Sequence, residues 1–216
     1  MHLVDTDGKG VDSANANGLV VAGKDYPLDI LVLSTGYVTP SIGGGSPAVR
    51  TGISIYGRGG RSIDDKWKSQ GASTLHGVCS NGFPNLFFAP LMQAGQAVNN
   101  VLTLDVGAEH VVHIIEKAEA RVGRPGAVVE VSSEAEEAWA MEIMKRAAWS
   151  AGVIGCTPGY ITSEGEALRP SADPMEMAKQ ARGGTYTEGL ASFLKVLQAY
   201  RAEGSLQGID VASRTV

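Results

Sequence analysis

The 216-residue sequence predicts an α/β fold: a few short strands followed by a mainly helical C-terminal part. Two observations carry this. Ile30-Leu-Val-Leu33 is apolar at successive positions rather than alternating, as in a strand covered on both faces. Beyond about residue 98, apolar residues instead recur at three- and four-residue steps, the period of a helix with one buried face.

Taken in order, residues 1–35 read as three short strands. Leu3–Thr6 turns at Asp7–Gly10, Gly18–Val21 follows, and Ala22–Asp25 leads into Leu28–Ser34. Residues 38–75 are polar, glycine-rich and weakly periodic, predicting loop with one short strand at Ile53–Tyr56. Leu86–Ala89 reads as another short buried strand. Val98–Val122 is helical, with Val101, Leu104, Ala108, Val111, Ile115 and Ala118 on one stripe and Gly123 suited to the position after its end. A second helix opens on a capping box, Ser133 with Glu136, and carries Ala135, Trp139, Ile143 and Ala147 on one face. Asp173-Pro174 makes a cap and first-turn pair for a helix near 174–182. The last helix spans Glu188–Glu203, with Leu190, Phe193, Leu194, Leu197 and Tyr200 aligned and Gly204 as terminator. The first buried strand needs sheet neighbours that the chain does not clearly supply, so the sequence reads as a piece of a larger α/β protein.

Composition removes several classes of function. A net charge of −5 without a basic cluster argues against nucleic acid. No apolar run approaches the roughly 20 residues needed to span a bilayer, so no membrane span is expected. Met1–Asp5 lacks the features of a signal peptide, and a cytoplasmic protein is expected. Cys79 and Cys156 fit no metal or redox spacing and read as buried, inert thiols. His110 and His113 are three apart on a helix but have no evident third partner, so no metal is expected. Gly57-Arg-Gly-Gly60 lacks the strand and helix that would make it a phosphate loop, and reads as turns. Trp67, Trp139 and Trp149 read as core or interface anchors.

Two segments could carry chemistry. Ser34-Thr-Gly-Tyr37 ends the first buried strand, where Gly36 permits close approach and the hydroxyls could meet a cofactor; an ordinary strand-to-loop turn is the simpler reading of it alone. Asn81-Gly-Phe-Pro-Asn-Leu-Phe-Phe88 runs into Gln93-Ala-Gly95 and then Asn99-Asn100 at the start of the long helix. Small and amide side chains there expose backbone N–H groups backed by the helix dipole, a seat for an anionic or polar ligand edge. Two asparagines at a helix start serve either as caps or as ligand contacts.

The ordered series Asp29–Tyr37, Lys66-Trp67, Leu75–Val78, Gly82–Phe88, Gln93–Gly95 and Asn99-Asn100 resembles the C-terminal third of Baeyer–Villiger monooxygenases, class B flavoproteins of the flavin-containing monooxygenase superfamily. Glu134–Trp149, Cys156–Gly159 and Glu188–Ala202, with Tyr200-Arg201, look like that family's closing helical segment. The resemblance implies a fragment of a flavoprotein with two dinucleotide-binding, Rossmann-like domains. It divides the chain into the end of a linker sheet (1–37), the C-terminal part of the FAD-binding domain with its substrate loop (38–125), and a helical closing segment (126–216).

It further implies an enzyme using FAD and NADPH to insert one oxygen atom of O2 into a small-molecule ketone, giving an ester or lactone. By position, Thr35, Gly36, Gln93, Asn100 and Val101 fall at flavin-contacting places of the family. Gln96, Ala97, Val98 and Cys156 fall at substrate-facing ones. Leu91-Met92 stands where the family carries Gly-Pro. The glycine fingerprints for FAD and NADPH are missing, and the catalytic arginine of the family lies outside this chain, so the isolated chain is expected to be inactive. An N- or S-hydroxylating flavin monooxygenase fragment, or a non-catalytic module that binds no flavin, are the alternatives.

Overall fold

In the computed structural model the described residues are 2–34, 52–90, 92–123, 126–146 and 173–213. Local turn chemistry builds the N-terminal part. β1 (Ser13–Asn15), β2 (Gly18–Val21) and β3 (Lys24–Pro27) form an antiparallel meander in that order. Ala22 and Gly23 both hold positive φ, 49° and 73°, which lets a two-residue turn follow the twist of the strands it joins. The Asn15 side chain accepts a hydrogen bond from Asn17 N at 2.9 Å and shapes the other turn.

The expected buried strand at Leu28–Ser34 is not there. None of these residues joins a strand, and Ile30, Val32 and Leu33 are 75–80% exposed. A strand apolar on both faces is stable only between neighbours that cover it, and among the described residues the meander ends at β3 with no strand pairing to residues 28–34. The short strands expected at Ile53–Tyr56 and Leu86–Ala89 are likewise not formed; Tyr56 makes one bridge to Ser62, and Phe88 N donates to Val78 O at 2.7 Å.

Helix α1 (Ile63–Gln70) falls in a stretch expected to be loop. Ser62 caps it by accepting from Asp65 N, Asp64 and Asp65 favour its positive end, and Gly71 stops it at φ 83°. Its buried Ile63 and Trp67 join Ala72 and Phe83 in a small separate core.

α2 (Asn100–Val122) begins at the cap Asn99 and ends at Gly123, which is left-handed as expected. It buries Thr103, Val106, Gly107, His110, Ile114 and Ala118. Of the expected stripe Ala118 is buried and Val111 packs against the core, while the other four members are exposed. Val101 is 74% exposed, and Leu104 and Ile115 also face out. The buried face mixes Val106 and Ile114 with small and polar residues where the helix packs closely: a Cβ on Gly107 would come within 2.3 Å of Pro90 Cγ.

β4 (Ala127–Val131) pairs antiparallel with β5 (Ile209–Ser213), with Val131 opposite Ile209. Neither strand was expected, although β4 alternates buried and half-buried residues. α3 (Ser133–Lys145) is capped one residue earlier than expected, by Ser132, which accepts from Ala135 N at 3.1 Å. Glu136 therefore turns inward instead of closing a capping box. α4 (Pro174–Arg182) starts on Asp173, and α5 (Gly189–Glu203) ends on Gly204 at φ 68°, both as expected.

The main core draws Leu75, Val78 and Ile114 together with Val129, Val131, Trp139, Ile143, Phe193, Leu197 and Ile209. It thus fastens residues on both sides of position 125 into one packed body.

Candidate functional site

The loop from Gln93 to Asn99 has a fixed base and an outward tip. Gln93 is completely buried at φ 53°. Its Oε1 accepts from Thr74 N at 2.7 Å and Thr74 Oγ1 at 2.6 Å, and its Nε2 donates to Ala72 O at 3.1 Å and Arg182 O at 2.7 Å. Its backbone N donates to Gly184 O at 2.8 Å, and its carbonyl accepts from Trp139 Nε1 at 2.9 Å. Tyr186 N donates to Ala94 O at 3.0 Å, and Gly95 bridges Tyr186 in parallel. Gly95 leaves no room for a side chain, since a Cβ would lie 2.5 Å from Phe193 Cβ.

The tip rises from that base. Gln96 and Ala97 are half-buried, Val98 is fully exposed, and Asn99, Asn100 and Val101 are exposed where α2 begins. Asn99 accepts from Leu102 N at 3.3 Å, the capping role anticipated for one of the two asparagines. No acidic residue stands in the first turn of α2 or α5, whereas α1 and α3 each carry two there and α4 one. The positive end of a 23-residue helix is thus left without an internal carboxylate, which suits a polar or anionic ligand edge.

Of the residues the sequence singled out, Gln93, Gln96, Ala97, Val98, Asn100 and Val101 therefore lie on one continuous loop and helix start. Thr35, Gly36 and Cys156 lie outside the described residues, as do Trp149 and Ala147.

The motif before this loop is clipped to β4 by its own amides. Asn81 Nδ2 donates to Val131 O at 2.8 Å. Asn85, at φ 58°, accepts from Val129 N at 2.8 Å, donates through Nδ2 to Ala127 O at 3.2 Å, and its backbone N donates to Val129 O at 2.9 Å. These asparagines substitute for a neighbouring strand along the edge of β4.

Beneath Asn81 lies an ion pair that sequence reasoning missed. Lys66 Nζ is 2.8 Å from both oxygens of Glu136, and donates to Ser80 Oγ at 2.9 Å and Asn81 O at 2.7 Å. Burial lowers the Lys66 pKa, and the adjacent Glu136 carboxylate opposes that shift. The pair lines a cleft of about 700 Å³ with Arg58, Arg61, Arg182 and Glu137. Arg182 is held there by Glu137 at 2.7 and 2.6 Å, and Arg58 by Glu130 at 2.6 Å.

A second missed cluster is wholly internal. His76 Nδ1 and His110 Nε2 are 3.1 Å apart, with Trp139 and Tyr200 edge-on to His76. Burial holds His76 at about 3 and His110 at about 4. Burial likewise pushes the Cys79 thiol up to about 12. Among the described residues no group of three or more His, Cys, Asp and Glu could hold a metal ion, and no helix is long and apolar enough to cross a membrane.

No protein-family model matches the chain. It is 72% identical over 214 residues to the polycyclic ketone monooxygenase of Thermothelomyces thermophilus, covering 99% of this chain and 32% of that protein. It is 41% identical over 213 residues to the FAD-binding monooxygenase ausC of Emericella nidulans, covering 98% of this chain and 31% of that one. Among solved structures, the Thermothelomyces polycyclic ketone monooxygenase superposes with a TM-score of 0.88 at 70% identity, over 99% of this chain and 32% of that one. An oxidized steroid monooxygenase bound to NADP shares the fold, with a TM-score of 0.65 at 23% identity, over 99% of this chain and 35% of that one. The chain thus has the fold of a segment of the flavoprotein monooxygenases built on two dinucleotide-binding domains. Within that class it corresponds to the C-terminal portion of a Baeyer–Villiger-type monooxygenase. It spans about a third of the length of the curated relatives it matches.

Proposed function

We propose that this chain supplies the flavin-facing loop and the substrate rim of a monooxygenase that uses FAD, NADPH and O2 to convert a ketone into an ester or lactone. The observation that carries this is the tip at residues 96–98, half-buried at Gln96 and Ala97 and exposed at Val98, set on a buried base and followed by a helix start free of carboxylates.

The residues present fit the polar edge of a flavin. Asn100 and Val101 offer backbone N–H groups at the positive end of α2, and Asn99 keeps that end ordered. Bound FAD, reduced by NADPH, supplies the oxygen chemistry. Gln96, Ala97 and Val98 present a small, largely apolar surface beside it, which orients a ketone by contact and keeps water from its carbonyl. Thr35, Gly36 and Cys156 complete the site by resemblance. Since the first relative named acts on polycyclic ketones, a fused-ring ketone is the substrate class proposed here. The chain alone is inactive, because the glycine fingerprints that seat both dinucleotides are not in it.

Titrating FAD against the isolated chain, and against a hybrid in which the chain replaces the equivalent third of the Thermothelomyces enzyme, tests this. The expectation is no tight binding to the chain alone. The hybrid should hold one flavin and form lactone from a polycyclic ketone. A hybrid that folds without flavin, or that turns over only amines or sulfides, overturns it.

A further inference from the structure

We propose, resting on the function just given, that Gln93 is a positioning residue: it fixes where the tip 96–98 sits without touching the flavin itself. Its side-chain amide has two acceptor and two donor places, and Thr74, Ala72 and Arg182 fill all four. With its backbone bonds to Gly184 and Trp139, it ties the loop to three separate pieces of chain: residues 72–74, the end of α4, and α3.

A non-glycine residue at positive φ is strained and persists where its surroundings over-determine it. Six hydrogen bonds do so at Gln93. The bonds act on the tip because nothing flexible separates them: Ala94 is bonded to Tyr186, and Gly95 is wedged against Leu190 and Phe193. On the far side α2 begins only at Asn100, with Val98 and Asn99 exposed. The tip is therefore located by its base on one side and by the helix on the other. An error of about 1 Å in that base reaches the substrate surface directly, and such displacements cost up to ~100-fold in rate.

The test uses the same hybrid holoenzyme with Q93G, which keeps the left-handed backbone and deletes the amide, and T74V, which removes one donor to Oε1 at nearly constant volume. Bound flavin, melting temperature, kcat, KM for a polycyclic ketone, and the share of NADPH oxidised to give lactone rather than hydrogen peroxide are measured. Q93G is expected to retain flavin while kcat/KM falls ~10-fold or more, through a raised KM and a lower lactone share. T74V should move both in the same direction by less.

Unchanged KM and lactone share in flavin-loaded Q93G would overturn the proposal, as would loss of flavin at an unchanged melting temperature, which would make Gln93 a direct cofactor contact. If Q93G does not fold, T74V decides: unchanged kinetics sink the idea and a shifted lactone share supports it. An unsubstituted hybrid without flavin or activity overturns the proposed function, and the role of Gln93 with it. In an active unsubstituted hybrid, the effect of Q93G bears on Gln93 alone.

Discussion

Lys66 and Glu136, seventy residues apart in sequence, meet at 2.8 Å inside the protein with side chains only 5% and 8% exposed. They join α1 to α3 under Asn81. Glu136 Oε1 also accepts from Asn81 N at 2.8 Å and lies 2.6 Å from Ser80 Oγ, so the pair holds the turn that starts the Asn81–Phe88 motif.

Breaking that pair leaves a buried charge uncompensated. Lys66→Met or Glu136→Leu alone should destabilise the chain by ~3–5 kcal/mol, while the double substitution should recover most of the loss. Urea unfolding of the three variants checks this. A loss in the double variant equal to the sum of the singles would show that the charges do not act as a pair.

The two buried histidines make stability depend on pH with a definite sign. His76 titrates at about 3 and His110 at about 4 in the folded chain, chiefly because burial disfavours the imidazolium; each also faces other cations or imidazoles. Unfolded, both take up protons near 6.5. Above that value neither state binds the proton and nothing changes. Below it the unfolded state binds more, so stability falls as pH drops from about 6.5 to 4, by up to ~1.4 kcal/mol per pH unit for each histidine. Unfolding midpoints measured across that window should show the fall, and His110→Gln should reduce the slope.

Gly95→Ala should be costly although the change is one methyl group. The new Cβ would lie 2.5 Å from Phe193 Cβ and 2.9 Å from Leu190 Cα, so α5 or the loop must move. A loss of ~1–3 kcal/mol is expected. In the flavin-loaded hybrid the lactone share should also drop, because the loop base shifts. Thermal melts and product analysis read the two effects separately.

Cys79 should not react while the chain is folded. Its thiol is buried and pushed up to about 12 by that burial and by the nearby Glu136 carboxylate, so almost no thiolate exists at pH 8. Mass spectrometry of the Cys79 peptide after iodoacetamide treatment should show labelling only after denaturant is added. Labelling of native chain at the rate of an open thiol would contradict the burial.

What could be read without coordinates was set by neighbours in sequence. Asp173-Pro174 starts α4, Gly123 and Gly204 stop α2 and α5, and Leu190, Phe193 and Leu197 turn inward, because caps, terminators and helical period act within one or two turns. The ordered motifs also led to the family.

Tertiary structure decided what depends on contact between distant residues. Ile30–Leu33 has the pattern of a buried strand but joins no strand among the described residues and is largely exposed. α2 turns Gly107 toward Pro90 and His110 toward His76, leaving Val101, Leu104 and Ile115 of its apolar stripe exposed. Glu136 abandoned a capping box for Lys66, and Gln93 spent its amide on Thr74, Ala72 and Arg182. A buried charge or amide must find its partner wherever the fold brings one, and sequence spacing holds no record of that partner.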